Sequence, residues 1–334
     1  MKKIAINGFG RIGRQAFKVA FERGDIEIVA INDLDKNEIL AHLLKHDSTY
    51  GEYDKSVDFN DNELIVDGVK IKTFAENDAA ALLWKDLGVD VVVECTGHYV
   101  EPEKARAHIK AGAKKVIISA PAKGEGADTI VLGVNDEKID SAGEIISCAS
   151  CTTNCIAPVM SVLEKKFGVA KAFMTTAHSY TSDQRLLDNA HDDPRRARSA
   201  AINIVPTSTG ASIAATEAIP ELKGVFGGLS LRVPTPDVSI ADFAVLLKKK
   251  TTIDEVKKVF KEVAKEPFYQ GILTVTEDEL VSTDFSGNPH SAIVDLPLTD
   301  LIDGDFLKVV AWYDNEWAYA NRLVELTADI AKTV

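Results

Sequence analysis

The chain has 334 residues, 46% hydrophobic and 27% charged, with a formal net charge of −13. That is ordinary globular composition at a length suited to two domains, and the acidic balance argues against nucleic acid or an anionic membrane as main partner. No run approaches the roughly 20 apolar residues of a membrane span, and the N-terminus lacks the apolar core of a signal peptide, so a cytoplasmic protein is expected. Four cysteines, Cys95, Cys148, Cys151 and Cys155, form neither a disulfide framework nor a zinc pattern, and no metal is expected.

In chain order, residues 4–7 read as a strand, 11–23 as a helix, 26–31 as a strand, 63–73 as a hairpin turning at Asp67-Gly68, 89–94 as a strand, 101–111 as a helix and 116–119 as a strand. This alternation predicts an α/β, Rossmann-type doubly wound domain over residues 1–150. Longer strands follow at 171–178, 228–233 and 240–247, with a helix at 252–264. They predict an α+β domain with a mainly antiparallel sheet over 151–316. A final helix at 317–334 is expected to return to the first domain. Residues 179–206 show little periodicity, and a loop of that length is usually functional or disordered.

Gly8-Phe9-Gly10-Arg11-Ile12-Gly13 fits G-x-G-x-x-G between a strand and a helix. Such glycines allow a tight turn and close backbone approach, seating a pyrophosphate on the helix N-terminus. Asp33 lies 20 residues after Gly13, at the end of the second strand, where a carboxylate accepts from the adenosine ribose and repels a 2′-phosphate. NAD is therefore the expected cofactor. Thr96-Gly97 and Ser119 occupy later strand ends, where ligands bind in open α/β sheets and where helix caps also occur.

Cys151 stands at the first turn of a helix beginning after residue 150, where the dipole favours a thiolate. Cys155, one turn on, reads as a buried small hydrophobe. His178 ends a strand and is the natural proton partner if that strand reaches the helix start. A thiolate, a base and a dinucleotide domain together describe hydride removal from a thiol adduct of an aldehyde. Arg195, Arg196 and Arg198 form a basic cluster in an acidic chain. They serve either as phosphate donors or as a solvated loop neutralised by Asp192 and Asp193. For Arg232, a buried ion pair competes with an anion site.

Six ordered motifs carry a family resemblance: residues 6–14, Ala149-Ser150-Cys151-Thr152-Thr153-Asn154-Cys155, His178-Ser179-Tyr180-Thr181, residues 206–211, Leu231-Arg232-Val233-Pro234-Thr235 and residues 312–317. Through them the chain resembles the phosphorylating, bacterial-type glyceraldehyde-3-phosphate dehydrogenases over essentially its whole length. The resemblance implies that Cys151 attacks the aldehyde, His178 serves as base, NAD takes the hydride, and inorganic phosphate cleaves the thioester to 1,3-bisphosphoglycerate, a step of glycolysis. It implies one anion site at Thr181 and Arg232 and another at Ser150, Thr152, Arg196, Thr209 and Gly210. For the cofactor it adds Phe9, Arg11, Ile12, Asn32, Leu34, Asn77, Asn315 and Tyr319 to the glycines, Asp33, Thr96, Gly97 and Ser119. It further implies a homotetramer with small-molecule substrates.

Three positions depart from the family pattern: Asn77 where a basic residue is common, with Ala79 nearby for proline; Asn189-Ala190 for the Leu-Pro of many strictly NAD-selective members; and Glu52 for a basic residue. Competing readings are an erythrose-4-phosphate dehydrogenase that hydrolyses its thioester with water, an NADP-linked acyl-phosphate reductase, and a binding or redox-sensing protein without turnover. Asp33 speaks against the second. Retention of Cys151, His178 and Asn315 speaks against the third.

Overall fold

The computed structural model describes residues 1–334 and divides into two compact units, Met1–Ile130 with Asp136–Ala149 and Ala320–Val334, and Val131–Asn135 with Ser150–Tyr319. The first holds nine sheet strands: β1 (Lys2–Asn7), β2 (Ile26–Asn32), β3 (Val57–Asn60), β4 (Glu63–Val66), β5 (Val69–Phe74), β6 (Val91–Glu94), β7 (Lys115–Ile118), β8 (Asp128–Thr129) and β9 (Ile145–Ser147). Their order is β8-β9-β7-β6-β1-β2-β5-β4-β3. Pairing is parallel from β8 through β5 and antiparallel through β4 and β3. Ile4-Ala5-Ile6 of β1, Val91-Val92-Val93 of β6 and Val116-Ile117-Ile118 of β7 are buried apolar runs because both faces of a parallel sheet are covered.

The chain leaves β1 toward one side and β6 lies on the other, so β1 marks the point where the strand order reverses. Asn7 is in register with both Asn32 and Glu94, and Glu94 with Ile118. Three polar strand ends therefore meet where such folds bind ligands. The expected hairpin turns at Asp67 and Gly68, with φ of 46° and 80°, as a two-residue primed turn requires.

The second unit holds β10 (Val169–Ser179), β11 (Val205–Thr207), β12 (Phe226–Val233), β13 (Ser239–Leu247), β14 (Leu273–Thr276), β15 (Ala292–Asp295), β16 (Asp300–Ile302) and β17 (Phe306–Tyr313). The order is β11-β12-β10-β13-β17-β15-β14, with β16 also paired to β17. Most pairs are antiparallel; β10 with β12 and β14 with β15 are parallel. Residues 180–204 carry only a short 3-10 turn at Ala200–Ile202. No helix is long and apolar enough to cross a membrane.

Candidate active site

In the first unit, a cavity of about 510 Å³ opens at the strand ends, lined among others by Asn7, Gly8, Gly10, Asn32, Asp33, Leu34, Asn77 and Thr96. Helix α1 (Arg11–Phe21) starts directly after the glycine loop. A Cβ on Gly8, at φ 92°, would sit 2.7 Å from the Thr96 nitrogen, and one on Gly13 would sit 2.1 Å from the Gly8 carbonyl oxygen. Gly10 has open space around it, which leaves room for a ligand at the helix start. The three glycines thus serve turn, approach and packing separately.

Asp33 accepts the Phe9 N–H at 2.6 Å through one oxygen and the Asp35 N–H at 3.1 Å through the other. It ties the glycine loop to β2 and keeps lone pairs toward the cavity for ribose hydroxyls. These features fit a dinucleotide. The Phe9 side chain does not take part: it is buried edge-on against Phe17, and only its backbone faces the loop. Arg11 pairs with Asp47 at 2.7 Å, while Ile12, Gly13, Gly97 and Ser119 do not line the cavity. The sequence reading missed Asn7, Glu76, Cys95, His98, Tyr99 and Lys104, which do line it. Only the polar strand-end residue Asn7 carried a signal.

In the second unit, Ser150 caps helix α2 (Cys151–Phe167), its hydroxyl accepting the Thr153 N–H at 3.0 Å. Cys151 is the first helical residue, and its Sγ lies 3.5 Å from Nε2 of His178, the penultimate residue of β10. The other ring nitrogen, Nδ1, donates to the Ser179 carbonyl at 2.7 Å. A carbonyl can only accept, so the ring proton is held on Nδ1 and the Nε2 lone pair faces the thiol. Burial pushes the His178 pKa down to about 3, helped by Arg232 and opposed by the Ser179 bond. Burial also pushes the Cys151 thiol up, opposed by the Arg232 charge and by Thr152 donors. The helix start alone therefore does not make a resting thiolate here. Instead a thiol and an uncharged imidazole stand ready for proton transfer, with Arg232 favouring the thiolate.

Arg232 meets His178 because β12 and β10 run parallel with these two residues in register. Its Nη1 donates to the Ser179 carbonyl at 3.1 Å and to the Thr181 hydroxyl at 3.3 Å. No carboxylate pairs with it, which removes the buried-ion-pair reading and leaves a charge suited to an anion. Tyr313, part of the sixth sequence motif but given no role there, joins a buried hydroxyl triad: its hydroxyl lies 3.0 Å from that of Thr152 and 2.9 Å from that of Thr176. The Thr152 hydroxyl is thus turned inward.

Thr209 and Gly210 precede helix α3 (Ala211–Ala218), with the Thr209 hydroxyl accepting the Ala211 N–H at 3.1 Å. The Thr153 hydroxyl reaches the Ala211 carbonyl at 3.5 Å, which brings two helix starts side by side. Arg196 donates to the Thr207 hydroxyl at 2.9 Å and pairs with Asp183 and, at 3.6 Å, with Asp193; Arg198 pairs with Asp188 at 2.8 Å. The basic loop is therefore largely neutralised, by Asp183, Asp188 and Asp193 and not by Asp192. Asn315, just after β17, has its Oδ1 held by the Ser239 hydroxyl at 2.7 Å, which leaves its NH2 to donate. Tyr319 is buried.

Comparison with known proteins agrees with this geometry. Residues 2–102 match the model described as glyceraldehyde 3-phosphate dehydrogenase, NAD binding domain, and residues 150–315 match the corresponding C-terminal domain. The chain belongs to the glyceraldehyde-3-phosphate dehydrogenase family. It is 50% identical to the glyceraldehyde-3-phosphate dehydrogenase of Zymomonas mobilis over 99% of both chains, and 52% identical to that of Geobacillus stearothermophilus over 98% of both. Glyceraldehyde-3-phosphate dehydrogenase 1 of Bacillus subtilis is 50% identical over 99% of this chain and 98% of its own. Membership makes the chain an NAD-dependent oxidoreductase. The Cys151, His178 and Arg232 cluster lies within the C-terminal match, and the glycine loop with Asp33 within the NAD-binding match.

Proposed function

We propose that this chain oxidises glyceraldehyde 3-phosphate to 1,3-bisphosphoglycerate through a thioester on Cys151. The observation that carries the reading is the 3.5 Å approach of the Cys151 sulfur to an unprotonated His178 Nε2. His178 takes the thiol proton as sulfur attacks the aldehyde carbon, returns it to the alkoxide to complete the hemithioacetal, and then removes that hydroxyl proton as hydride departs. Bound NAD supplies the hydride acceptor. Gly8, Gly10, Asn32, Asp33, Leu34, Asn77 and Thr96 would hold its dinucleotide, and the Asn315 NH2 would donate to the carboxamide oxygen.

Arg232 and Thr181 would hold one phosphate, and the paired helix starts with Ser150, Thr209, Gly210 and Arg196 the other. For Thr152 the backbone N–H is the group to offer, since its hydroxyl serves Tyr313. Arg196 would exchange part of its Asp183 contact for the anion. Attack by phosphate on the thioester frees Cys151 as thiolate, which His178 reprotonates.

We also propose a homotetramer working in the cytoplasm. The large exposed apolar side chains Leu186, Leu187, Ile202, Ile204 and Ile213 support assembly, since a partner would take them out of water. Sedimentation at a mass of one chain would overturn that part.

The test of the activity mixes protein, glyceraldehyde 3-phosphate and NAD with and without inorganic phosphate, and repeats both with Cys151→Ser. Turnover is expected to require phosphate and to fall at least about 10³-fold in the variant. Turnover without phosphate would move the assignment to a hydrolysing relative.

A further inference from the structure

Beneath the dinucleotide cavity lies a chain of buried side chains that the proposed chemistry does not use. Glu94, the last residue of β6, is 1% exposed, and its carboxylate accepts four hydrogen bonds. Oε1 takes the backbone N–H of Thr96 at 2.7 Å and its hydroxyl at 2.5 Å. Oε2 takes the Asn7 amide at 2.5 Å and faces Nε2 of His108 at 3.0 Å. His108, fully buried on the helix Pro102–Lys110, presents its other nitrogen, Nδ1, to the Trp84 indole N–H at 3.0 Å. An indole can only donate, so Nδ1 accepts and the ring proton sits on Nε2, directed at Glu94.

On the other side the chain runs to the next strand end. The Asn32 amide donates to the Asn7 side-chain oxygen at 2.7 Å and to the Glu76 carbonyl at 2.9 Å, and its own oxygen accepts the Glu76 N–H at 2.9 Å. Asn7, Asn32, Glu76, Thr96 and His98 all line the cavity. The Thr96 hydroxyl, fixed as a donor to Glu94, accepts the His98 N–H at 3.0 Å. One buried carboxylate thus determines the orientation of groups from two strand ends and the turn after a third.

We propose that Glu94, oriented by His108 and Trp84, is a positioning residue for NAD, fixing the turn at residues 96–98 and the Asn7–Asn32 pair before the cofactor arrives. This rests on the NAD reading given above. A buried charge is an expensive way to fill a core, and apolar residues of similar size would stabilise the fold at least as well. Its use here is that four converging donors need a four-fold acceptor. Glutamine cannot replace it, because its NH2 must face two donors on one side. Rigid wall groups lower the ordering cost of binding.

The experiment measures NAD dissociation constants by calorimetry, thermal midpoints and steady-state constants for wild type, Glu94→Gln, His108→Phe, Thr96→Val and Thr96→Ser. Glu94→Gln and Thr96→Val are expected to weaken NAD binding about tenfold, as loss of bonds to a charged acceptor implies. Thr96→Ser, which keeps the hydroxyl, is expected to bind nearly as wild type, and His108→Phe to fall between. For Glu94→Gln, kcat at saturating NAD should stay within about twofold, since the change acts on cofactor binding alone. Unaltered NAD affinity in Glu94→Gln and Thr96→Val, with lower thermal midpoints, would reduce Glu94 to a core residue and overturn the inference alone. If Glu94→Gln does not fold, His108→Phe decides, because His108 does not line the cavity and acts on it through Glu94. Absence of NAD binding by the wild-type chain would overturn the cofactor reading and this inference with it.

Discussion

The dinucleotide cavity of the first unit and the thiol site of the second treat buried charge in opposite ways. Around the cavity, apart from the exposed Lys104, the charges are carboxylates, and donors surround them: Glu94 accepts four hydrogen bonds, and Asp33 holds two backbone N–H groups. At the thiol the charge is a guanidinium, Arg232, bonded only to a carbonyl and a hydroxyl besides its approach to the His178 ring. A bonded carboxylate shapes a wall, takes hydroxyls and repels further anions. A guanidinium without a carboxylate keeps its charge for an incoming anion and, meanwhile, biases its neighbours toward the thiolate and the uncharged imidazole. The difference teaches that one site is built to hold a ligand's shape and the other to move protons and charge.

His178→Asn should break the second half of that comparison most strongly. It removes the Nε2 acceptor while keeping a polar side chain, so kcat is expected to fall about 10²- to 10⁴-fold. Alkylation of Cys151 near neutral pH should slow in parallel. The buried imidazole also carries a stability signature with a definite sign. Its folded pKa, about 3, lies below the ordinary value, so between about pH 3 and 6.5 the unfolded chain binds the extra proton. Wild type should therefore lose stability as pH falls through that window, with a slope approaching one proton. Denaturant titrations of the variant should show a slope shallower by that amount; equal slopes would mean that His178 is charged in the folded protein.

Asp33→Asn tests the first half. The amide keeps the size but loses the acceptor charge, so NAD affinity should fall about tenfold, by the usual worth of a hydrogen bond to a charged group. Discrimination against NADP should shrink at the same time, because the repulsion of a 2′-phosphate is gone. Equal NADP rejection in the variant would place selectivity elsewhere, and the Asn189-Ala190 segment, which departs from the family pattern, would be the next place to look.

Legibility in the sequence followed chain distance. The glycine loop and Asp33 were readable because strand, turn and helix lie within one short segment, and each glycine answers a local constraint. The alternation of apolar runs gave the parallel centre of the first sheet and three strands of the second, where burial imposes the period directly, while the short strand β11 and the strands β14 to β17 went unread. Cys151 at its helix start was readable for the same local reason, but its protonation was not, because burial by the whole unit outweighs the helix end. Tyr313 reaches Thr152 and Thr176 from far along the chain, and nothing in an apolar strand marks its hydroxyl as a partner. Glu94 read as the end of a strand; four donors arriving from elsewhere make it a hub. The assignment of Asp183 and Asp188 to the loop arginines likewise depends on how residues 180–204 coil, and no periodicity encodes that.

Asp237→Asn is expected to have the smallest effect on turnover, yet it sharpens the contrast, because Asp237 is the buried carboxyl of the second unit that faces another carboxyl. Asp314 accepts backbone N–H groups from Gly287 at 2.7 Å, Glu316 at 2.9 Å and Trp317 at 2.7 Å, so the proton of the pair resides on Asp237. Burial, and then the Asp314 charge, push the Asp237 pKa up to about 7, against a backbone donor from Val238. Here the folded state binds the extra proton between about pH 4 and 7, so this group's contribution to stability is present at low pH and is lost as pH rises through 7. The sign is opposite to that of His178. Asparagine supplies an N–H toward Asp314 at every pH, and the variant should be no more stable than wild type near pH 4 but more stable than wild type by pH 8. Denaturant midpoints at the two pH values check this. A variant destabilised equally at both would mean that Asp237 is ionised in the folded chain, and that the second unit, like the first, keeps its buried carboxylates charged and bonded.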